Sequence, residues 1–276
     1  METRHSADKV RYRTMSNQDL RDSFVVDNLF TPDSVPLTYS DIDRGVIGSA
    51  VPVKSSLTIP MHKDLASDYF CQRREVGVIN IGGQGSVNVD GKSYGMTKLD
   101  SLYIGRGVKE IEFFSEDAAN PAKFYFVSYP AHKAYPTVHV PMDKSNIINL
   151  GSAETANKRT IYQPLRPGII ESCQLVMGFT MLAEGSVWNT FPPHTHQRRS
   201  EYYMYFDMPE DGRVFHFMGE ADNMRHLLLS EGQAALSPIW SMHCGAGTSA
   251  YTFIWSMGGE NQEFDDMDHI DRATIG

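Results

Sequence analysis

Two histidines one residue apart, His194 and His196, constrain the fold of this chain more than any other feature. Side chains on a strand alternate between its two faces, so residues i and i+2 point the same way. The spacing therefore predicts a strand that directs both imidazoles to one side of a sheet. After a polar turn comes an aromatic-rich segment, residues 201–206, whose composition predicts a second strand. Glu201 begins that strand.

A separate signal further along supplies a third histidine. Gly232 opens a predicted strand, Pro238 marks a turn, and His243 follows. Three imidazoles and one carboxylate form a plausible N₃O set for a divalent ion of borderline softness. The sequence therefore predicts a metal site with the ligands His194, His196, Glu201 and His243.

The charge balance restricts the class of partner. The 276 residues include 25 basic and 34 acidic side chains, which give a formal net charge of −9. This charge argues against nucleic acid and anionic membranes as partners. A small anionic substrate remains compatible, provided that arginines near the site offset the overall field.

The cysteines and the N-terminus indicate the compartment. Cys71, Cys173 and Cys244 lie far apart, without the spacing of a metal or redox motif, which suits a reducing cytoplasm. The first ten residues are charged and lack an apolar segment, and no apolar run is long enough to span a bilayer. We therefore expect a cytoplasmic protein without a membrane anchor.

The chain contains the same pattern twice. A polar turn at residues 72–75 precedes a strand-like segment at 76–81, as the turn at 197–200 precedes residues 201–206. Further strand patterns follow in each half, and helical periodicity is confined to short segments near residues 16–28. We therefore predict an all-β fold of two β-sandwich units with short helices: residues 1–135, a connection at 136–158, and residues 159–276. The first copy lacks the histidine pair, so we expect it to be metal-free.

The spacing of the four predicted ligands, with Gly232 and Pro238, resembles the paired motifs of the cupin superfamily. This resemblance implies a bicupin, that is, two jelly-roll barrels in one chain. Longer segments carry a more specific likeness: residues 77–83, 189–196, 250–255 and 259–269 resemble the 5-keto-4-deoxyuronate isomerase family. The resemblance extends over nearly the whole chain, including both termini.

Membership of that family would imply a defined reaction. The family converts 4-deoxy-L-threo-5-hexosulose uronate into 3-deoxy-D-glycero-2,5-hexodiulosonate during bacterial pectin breakdown. The resemblance also implies one zinc ion per chain, a small anionic sugar acid as substrate, and a homo-oligomer, specifically a hexamer.

The predicted chemistry assigns roles to Glu201 and to the neighbouring Tyr203. An aldose–ketose isomerisation moves hydrogen from a hydroxyl-bearing carbon to the neighbouring carbonyl carbon, and a Lewis acid assists it. Glu201 is the ligand we expect to loosen and to carry the proton, while a direct hydride shift would use the same ligands. Tyr203 faces the same way as Glu201, either to hydrogen-bond the reacting oxygens or to fill the barrel. A purely structural metal also remains open.

Two adjacent arginines, Arg198 and Arg199, are the candidates for binding the substrate carboxylate by paired hydrogen bonds. The alternative is that they are turn or interface residues. The acidic segment 265–269 resembles a ligand cluster, but a solvated or intersubunit segment is the favoured interpretation.

Two other function classes stay open at this point. A cupin with three histidines and a glutamate can hold iron or manganese and act as a dioxygenase, which would consume oxygen. A non-catalytic sugar-binding or regulatory cupin is the other class. The sequence shows no helix-turn-helix and no basic segment that would favour a DNA-binding regulator.

Overall fold

Strands form most of the regular secondary structure of the protein, a computed structural model that describes residues 1–276. In chain order, the strands up to residue 140 are β1 (Glu2–Arg4), β2 (Val25–Val26), β3 (Leu37–Ser40), β4 (Val46–Ala50), β5 (Leu57–Thr58), β6 (Arg74–Asn80), β7 (Gly85–Val89), β8 (Lys92–Met96), β9 (Ser101–Ile104), β10 (Ile111–Ser115), β11 (Phe124–Pro130) and β12 (Val138–Val140). The later strands are β13 (Asn146–Leu150), β14 (Arg159–Leu165), β15 (Val176–Leu182), β16 (Trp188–Thr195), β17 (Arg199–Phe206), β18 (Val214–Glu220), β19 (Asn223–Leu229), β20 (Ala234–Ser237), β21 (Met242–Gly247), β22 (Thr252–Gly259) and β23 (Asp268–His269). The predicted all-β class is confirmed.

Helices are few and short. The α-helices are α1 (Lys9–Tyr12) and α2 (Asn17–Phe24), and single 3₁₀ turns lie at Ile42–Arg44, Lys63–Leu65, Phe70–Gln72, Met142–Lys144 and Arg272–Thr274. Helix α2 begins where a capping box dictates: Ser16 accepts a hydrogen bond from the backbone N–H of Asp19, and the Asp19 side chain accepts one from the Ser16 N–H. No helix has the length and apolar character required to cross a bilayer.

The chain divides into two compact units. The first comprises residues 1–3, 28–146 and 164–177, and the second comprises residues 4–27, 147–163 and 178–276. The strand order of the first is β1-β3-β4-β11-β6-β9-β12 in one sheet and β5-β10-β7-β8 in the other. The second has β13-β14-β15-β22-β17-β20-β2 and β19-β18-β21-β16-β23. The run β4-β11-β6-β9 thus has its counterpart in β15-β22-β17-β20, so the repeat predicted from sequence is present in the topology.

The observed units differ from the predicted boundaries at 135 and 159. Residues 4–27 group with the second unit, because β2 pairs with β20 and the Tyr12 hydroxyl donates to the Met218 carbonyl at 2.8 Å. The predicted connection at 136–158 contains strands β12 and β13 rather than only a linker. Pairings between residues some two hundred positions apart leave no local pattern in the sequence.

Three phenylalanines pack together within the otherwise largely aliphatic core of the first unit. Phe113 stacks on Phe126 with ring centroids 5.8 Å apart, and Phe124 packs beside Phe113 at 5.1 Å. All three side chains are fully buried. The close packing leaves no room for a side chain at Gly48, whose added Cβ would meet the Phe126 ring and lie 2.8 Å from Leu37 Cδ2.

The residue of the first unit that corresponds in strand position to Glu201 is Val76, since Val76 pairs with Ile104 at the end of β9 as Glu201 pairs with Ser237 at the end of β20. The carboxylate of that strand is the preceding residue, Glu75, which faces the opposite side of the sheet. It is fully buried on β6 and accepts four hydrogen bonds: from the Tyr103 hydroxyl at 2.7 Å and from the backbone N–H groups of Cys173, Gln174 and Leu175 at 2.7, 2.8 and 2.9 Å. A carboxylate with this many donors has a structural role. With the apolar Val76 at the position of Glu201, the first unit lacks this carboxylate ligand, which supports the prediction that it carries no metal.

Candidate metal centre and its cavity

The four predicted metal ligands converge in the second unit. His194 lies on β16 and pairs directly with His243 on the neighbouring strand β21. His196 is the first residue after β16, so the strand ends one residue earlier than the spacing predicts. Glu201 lies on β17 in the other sheet of the unit. The register between β16 and β21 shifts between Asn189 and His194, an irregularity of the kind that re-aims side chains beside functional sites.

The donor atoms are close enough to share one ion. His194 Nε2 lies 3.0 Å from His196 Nε2 and 3.2 Å from His243 Nε2. Glu201 Oε2 lies 3.0 Å from His196 Nε2 and 2.9 Å from His243 Nε2. All four donors fall within 4.8 Å of one another. A tetrahedral ion with bonds near 2 Å spaces its donors about 3.3 Å apart, so the donor set fits a divalent metal ion.

The protonation states of this cluster also suit metal binding. Burial and the neighbouring His243 lower the pKa of His194 from 6.5 to about 2, which keeps this imidazole neutral. Burial alone would raise the pKa of Glu201, but the adjacent His243 and His196 hold it well below its usual range. A neutral imidazole and an ionised carboxylate are the forms that coordinate metals.

A second layer of side chains orients the histidines. Ser237 Oγ lies 3.2 Å from Nδ1 of His243. Asp266 Oδ1 lies 3.5 Å from Nδ1 of His196, and the same carboxylate forms an ion pair with the buried Arg199. Outer partners of this kind hold ligand rings in position. The interpretation of segment 265–269 as merely solvated or intersubunit is therefore incomplete, because Asp266 supports the centre without being a ligand.

The two arginines predicted to bind the substrate already have partners within the chain. Arg198 Nε donates to Asp266 Oδ2 at 2.9 Å, and its Nη2 donates to Asp268 Oδ2 at 3.2 Å. Arg199 is buried, pairs with Asp266, and lies 3.1 Å from His196 Nδ1 through its Nη2. Neither arginine lines the cavity beside the histidines. The structure thus places both next to the ligands but not in contact with the space that a substrate would occupy.

A cavity of about 220 Å³ opens beside the cluster. His194, His196 and Glu201 form part of its wall. Most of the remaining wall is apolar, and it is formed by Leu150, Ile161, Phe191, Pro192, Phe253, Trp255, Met257, Phe264 and Met267. An apolar wall with a few polar groups is typical of small-molecule sites.

The sequence assigned no individual role to four other polar residues of the wall, although one of them, His269, lies in segment 265–269. They are Arg159, Thr180, Thr190 and His269. The backbone pairing of β16 with β23 sets His269 opposite His194, with ring centroids 6.0 Å apart. No spacing rule connects these positions, since they come from β14, β15, β16 and β23.

Tyr203 and Tyr205 differ in their surroundings. Tyr203 lines the cavity, and burial together with the nearby Glu201 carboxylate raises its pKa well above the usual range. Its hydroxyl is therefore a proton donor at neutral pH. Tyr205 lies away from the cavity and contacts His216 Nδ1 through its hydroxyl at 2.8 Å, as expected of a side chain that fills the barrel.

Two cupin-type units, with a buried cluster of three histidines and a glutamate in the second, define the chain as a bicupin with a candidate metal centre. Solved structures share this fold at low sequence identity. An IolB-like protein from Salmonella typhimurium LT2 matches with a TM-score of 0.69 and 14% identity, over 82% of this chain and 87% of that one. A mutant of oxalate decarboxylase from Bacillus subtilis matches with a TM-score of 0.56 and 11% identity, over 79% of this chain and 70% of that one.

The chain belongs to the KduI/IolB family, whose profile matches residues 41–272. Its relatives include proteins named 4-deoxy-L-threo-5-hexosulose-uronate ketol-isomerase. The protein of that name from Lachnoclostridium phytofermentans is 51% identical over 275 residues and covers 100% of both chains. The one from Formosa agariphila is 49% identical and covers 97% of this chain and 95% of its own. This membership confirms the family resemblance of the sequence motifs.

Proposed function

We propose that this protein catalyses the zinc-assisted isomerisation of 4-deoxy-L-threo-5-hexosulose uronate to 3-deoxy-D-glycero-2,5-hexodiulosonate, a step in pectin and uronate breakdown. The observation that carries the proposal is the buried cluster of three histidines and a glutamate in the wall of a small cavity. Near-full-length identity of about half to proteins named for this reaction supports it.

Zinc held by His194, His196, Glu201 and His243 would supply a Lewis acid for the carbonyl and the neighbouring hydroxyl of the sugar. Glu201 is the residue we assign to carrying the proton between the two carbons, because its carboxylate lines the cavity in ionised form. We assign Tyr203 the donation of a hydrogen bond to a sugar oxygen that gains negative charge, because this side chain lines the cavity. The apolar wall limits the access of water to the reacting carbons.

The test is incubation of the zinc-loaded protein with freshly prepared 4-deoxy-L-threo-5-hexosulose uronate, followed by NMR. We expect conversion to the 2,5-diketone without oxygen and without nicotinamide, and loss of activity on chelation. Absence of conversion would overturn the proposal. Oxygen consumption by an iron- or manganese-loaded form would instead identify a cupin dioxygenase.

Isotope incorporation tests the role of Glu201. If a protein base carries the hydrogen, turnover in deuterated water places deuterium on the former aldehyde carbon. Complete retention of substrate hydrogen under conditions in which the reaction is irreversible would contradict the base assignment and favour a direct hydride shift.

We also propose that the protein is a cytoplasmic homo-oligomer, specifically a hexamer. Apolar side chains exposed on the paired strands β18 and β19 support an association surface: Phe215, Met224 and Leu228 are 37%, 36% and 43% exposed. Light scattering of the purified protein tests the subunit number, and a monomer at micromolar concentration would contradict the hexamer.

The unpaired cysteines support the proposed cytoplasmic location, because they suit a reducing compartment.

A further inference from the structure

Arg159 is the arginine that lines the cavity beside the metal cluster. We propose that Arg159 binds the carboxylate of the sugar-acid substrate, in place of the neighbouring pair Arg198 and Arg199. The inference rests on the proposed function, because a sugar acid supplies the carboxylate. Arg159 would position the carboxylate end of the substrate, and the metal cluster would bind the aldehyde end.

The contacts of Arg159 leave part of its guanidinium available. The side chain begins strand β14 and is half-buried, and its Nη1 donates one hydrogen bond to the Asn157 carbonyl at 2.9 Å. The ionisable groups that act on it are Tyr203 and Tyr251, not a carboxylate. Burial lowers the pKa of this guanidinium. A desolvated cation without an anionic partner is costly to maintain unless a ligand supplies the partner.

The other arginines near the cluster differ from Arg159 because each already has a carboxylate partner. Asp266 and Asp268 already neutralise Arg198, and Asp266 neutralises Arg199. A substrate carboxylate would have to displace these carboxylates and reach outside the cavity wall. Arg159 requires neither, because it lines the cavity and has no carboxylate to lose.

The chemistry of the substrate matches a mostly apolar cavity whose wall contains both the metal cluster and Arg159. An open-chain hexuronate carries its aldehyde at one end and its carboxylate at the other. His194, His196 and Glu201 would face the aldehyde end, and the planar guanidinium of Arg159 can hold a carboxylate by two parallel hydrogen bonds. Fixing both ends aligns the reacting carbons with Glu201.

Substitutions at two adjacent cations test the assignment. Arg159→Gln removes the charge inside the cavity, and Lys158→Gln removes one from an exposed neighbour that does not line it. Arg159→Lys keeps the charge but loses the paired geometry. Each zinc-loaded variant is assayed for KM and kcat with the deoxy-keto uronate, and for binding of D-glucuronate, a carboxylate that does not require turnover, by calorimetry. Zinc content and melting temperature show whether a variant is folded.

We expect Arg159→Gln to raise KM and the dissociation constant of D-glucuronate by on the order of tenfold to a hundredfold, as loss of a charged hydrogen bond does. Zinc content should stay at the wild-type level, Lys158→Gln should behave as wild type, and Arg159→Lys should recover part of the affinity. A rise in KM shared by Lys158→Gln would overturn the assignment, because it would show only a general charge effect.

The two proposals fail in different ways. If the wild type converts the uronate and Arg159→Gln retains wild-type KM and D-glucuronate affinity, the carboxylate assignment is wrong and the isomerase proposal stands. If the wild type fails to convert the uronate while D-glucuronate binding still depends on Arg159, the isomerase proposal is wrong and the carboxylate site stands. Should Arg159→Gln not fold, a wild-type KM in Arg159→Lys, which cannot form the paired contact, would likewise overturn the assignment.

Discussion

At the scale of single residues, removal of the His243 side chain tests whether this histidine is a zinc ligand. Its Nε2 lies 2.9 Å from Glu201 Oε2 and 3.2 Å from His194 Nε2, so it is one of the four donors. We expect His243→Ala to lower zinc affinity by more than the roughly 10- to 100-fold that loss of an outer-layer partner costs, with activity falling in parallel. Metal analysis after dialysis measures this, with His226→Ala, an exposed histidine on β19, as the control. Full zinc occupancy in His243→Ala would exclude His243 as a ligand.

A second residue-scale prediction concerns acid stability. Burial, reinforced by His243, lowers the pKa of His216 from 6.5 to about 3. The unfolded chain therefore binds this proton at a higher pH than the folded protein does. The resulting stabilisation is complete above pH 6.5 and is lost as pH falls toward 3.

Between pH 6.5 and about 3, protonation of His216 alone lowers the free energy of unfolding by about 1 kcal/mol for each pH unit. We expect His216→Gln, which can keep a hydrogen bond to the Tyr205 hydroxyl, to flatten the pH dependence of unfolding between pH about 6 and about 4.5. Urea unfolding at several pH values measures it. Parallel curves for the variant and the wild type would contradict the prediction.

At the scale of elements, close packing against strand β4 depends on a glycine. A Cβ at Gly48 would meet the Phe126 ring and Leu37. We expect Gly48→Ala to destabilise the protein by about 1–3 kcal/mol, the usual cost of overpacking a core. Gly95 on β8 is the matched control, because a Cβ there meets nothing within 4 Å. Gly95→Ala should be neutral or stabilising by up to about 1 kcal/mol. Equal melting temperatures for the two variants would show that β4 adjusts without cost.

Equivalent strands can also have different chemical roles. Strands β6 and β17 occupy corresponding places in the two units, yet the position of Glu201, which faces three histidines, is held in the first unit by the apolar Val76. The strand pattern is shared, whereas the residue at this position decides whether the strand contributes a metal ligand.

At the scale of the whole molecule, this difference predicts the metal content. We expect one zinc ion per chain, because the first unit has the apolar Val76 at the position of Glu201. Elemental analysis gives the stoichiometry, and anomalous scattering from crystals locates the metal. Two ions per chain, or an anomalous peak in the first unit, would contradict the expectation.

The local periodicity of the sequence determined the all-β class, the internal repeat and the ligand set. The i, i+2 spacing of His194 and His196 acts through strand geometry alone, and the turn before Glu201 sets the next strand, so neither needs a distant contact. The capping box of Ser16 and Asp19 likewise sets the start of α2 from neighbouring residues. These features could be predicted because their causes lie within a few positions.

Tertiary structure alone decided which arginine faces the cavity. Arg198 and Arg199 adjoin the ligands in sequence. Both, however, form ion pairs with Asp266, which follows them by 68 and 67 residues. Arg159 reaches the cavity because β14 and the histidine strand belong to the same unit. Residues 4–27 likewise belong to the second unit because they contact residues about two hundred positions further along the chain. Ion pairs and strand pairings between distant residues depend on the whole set of packed elements, and no local pattern specifies them.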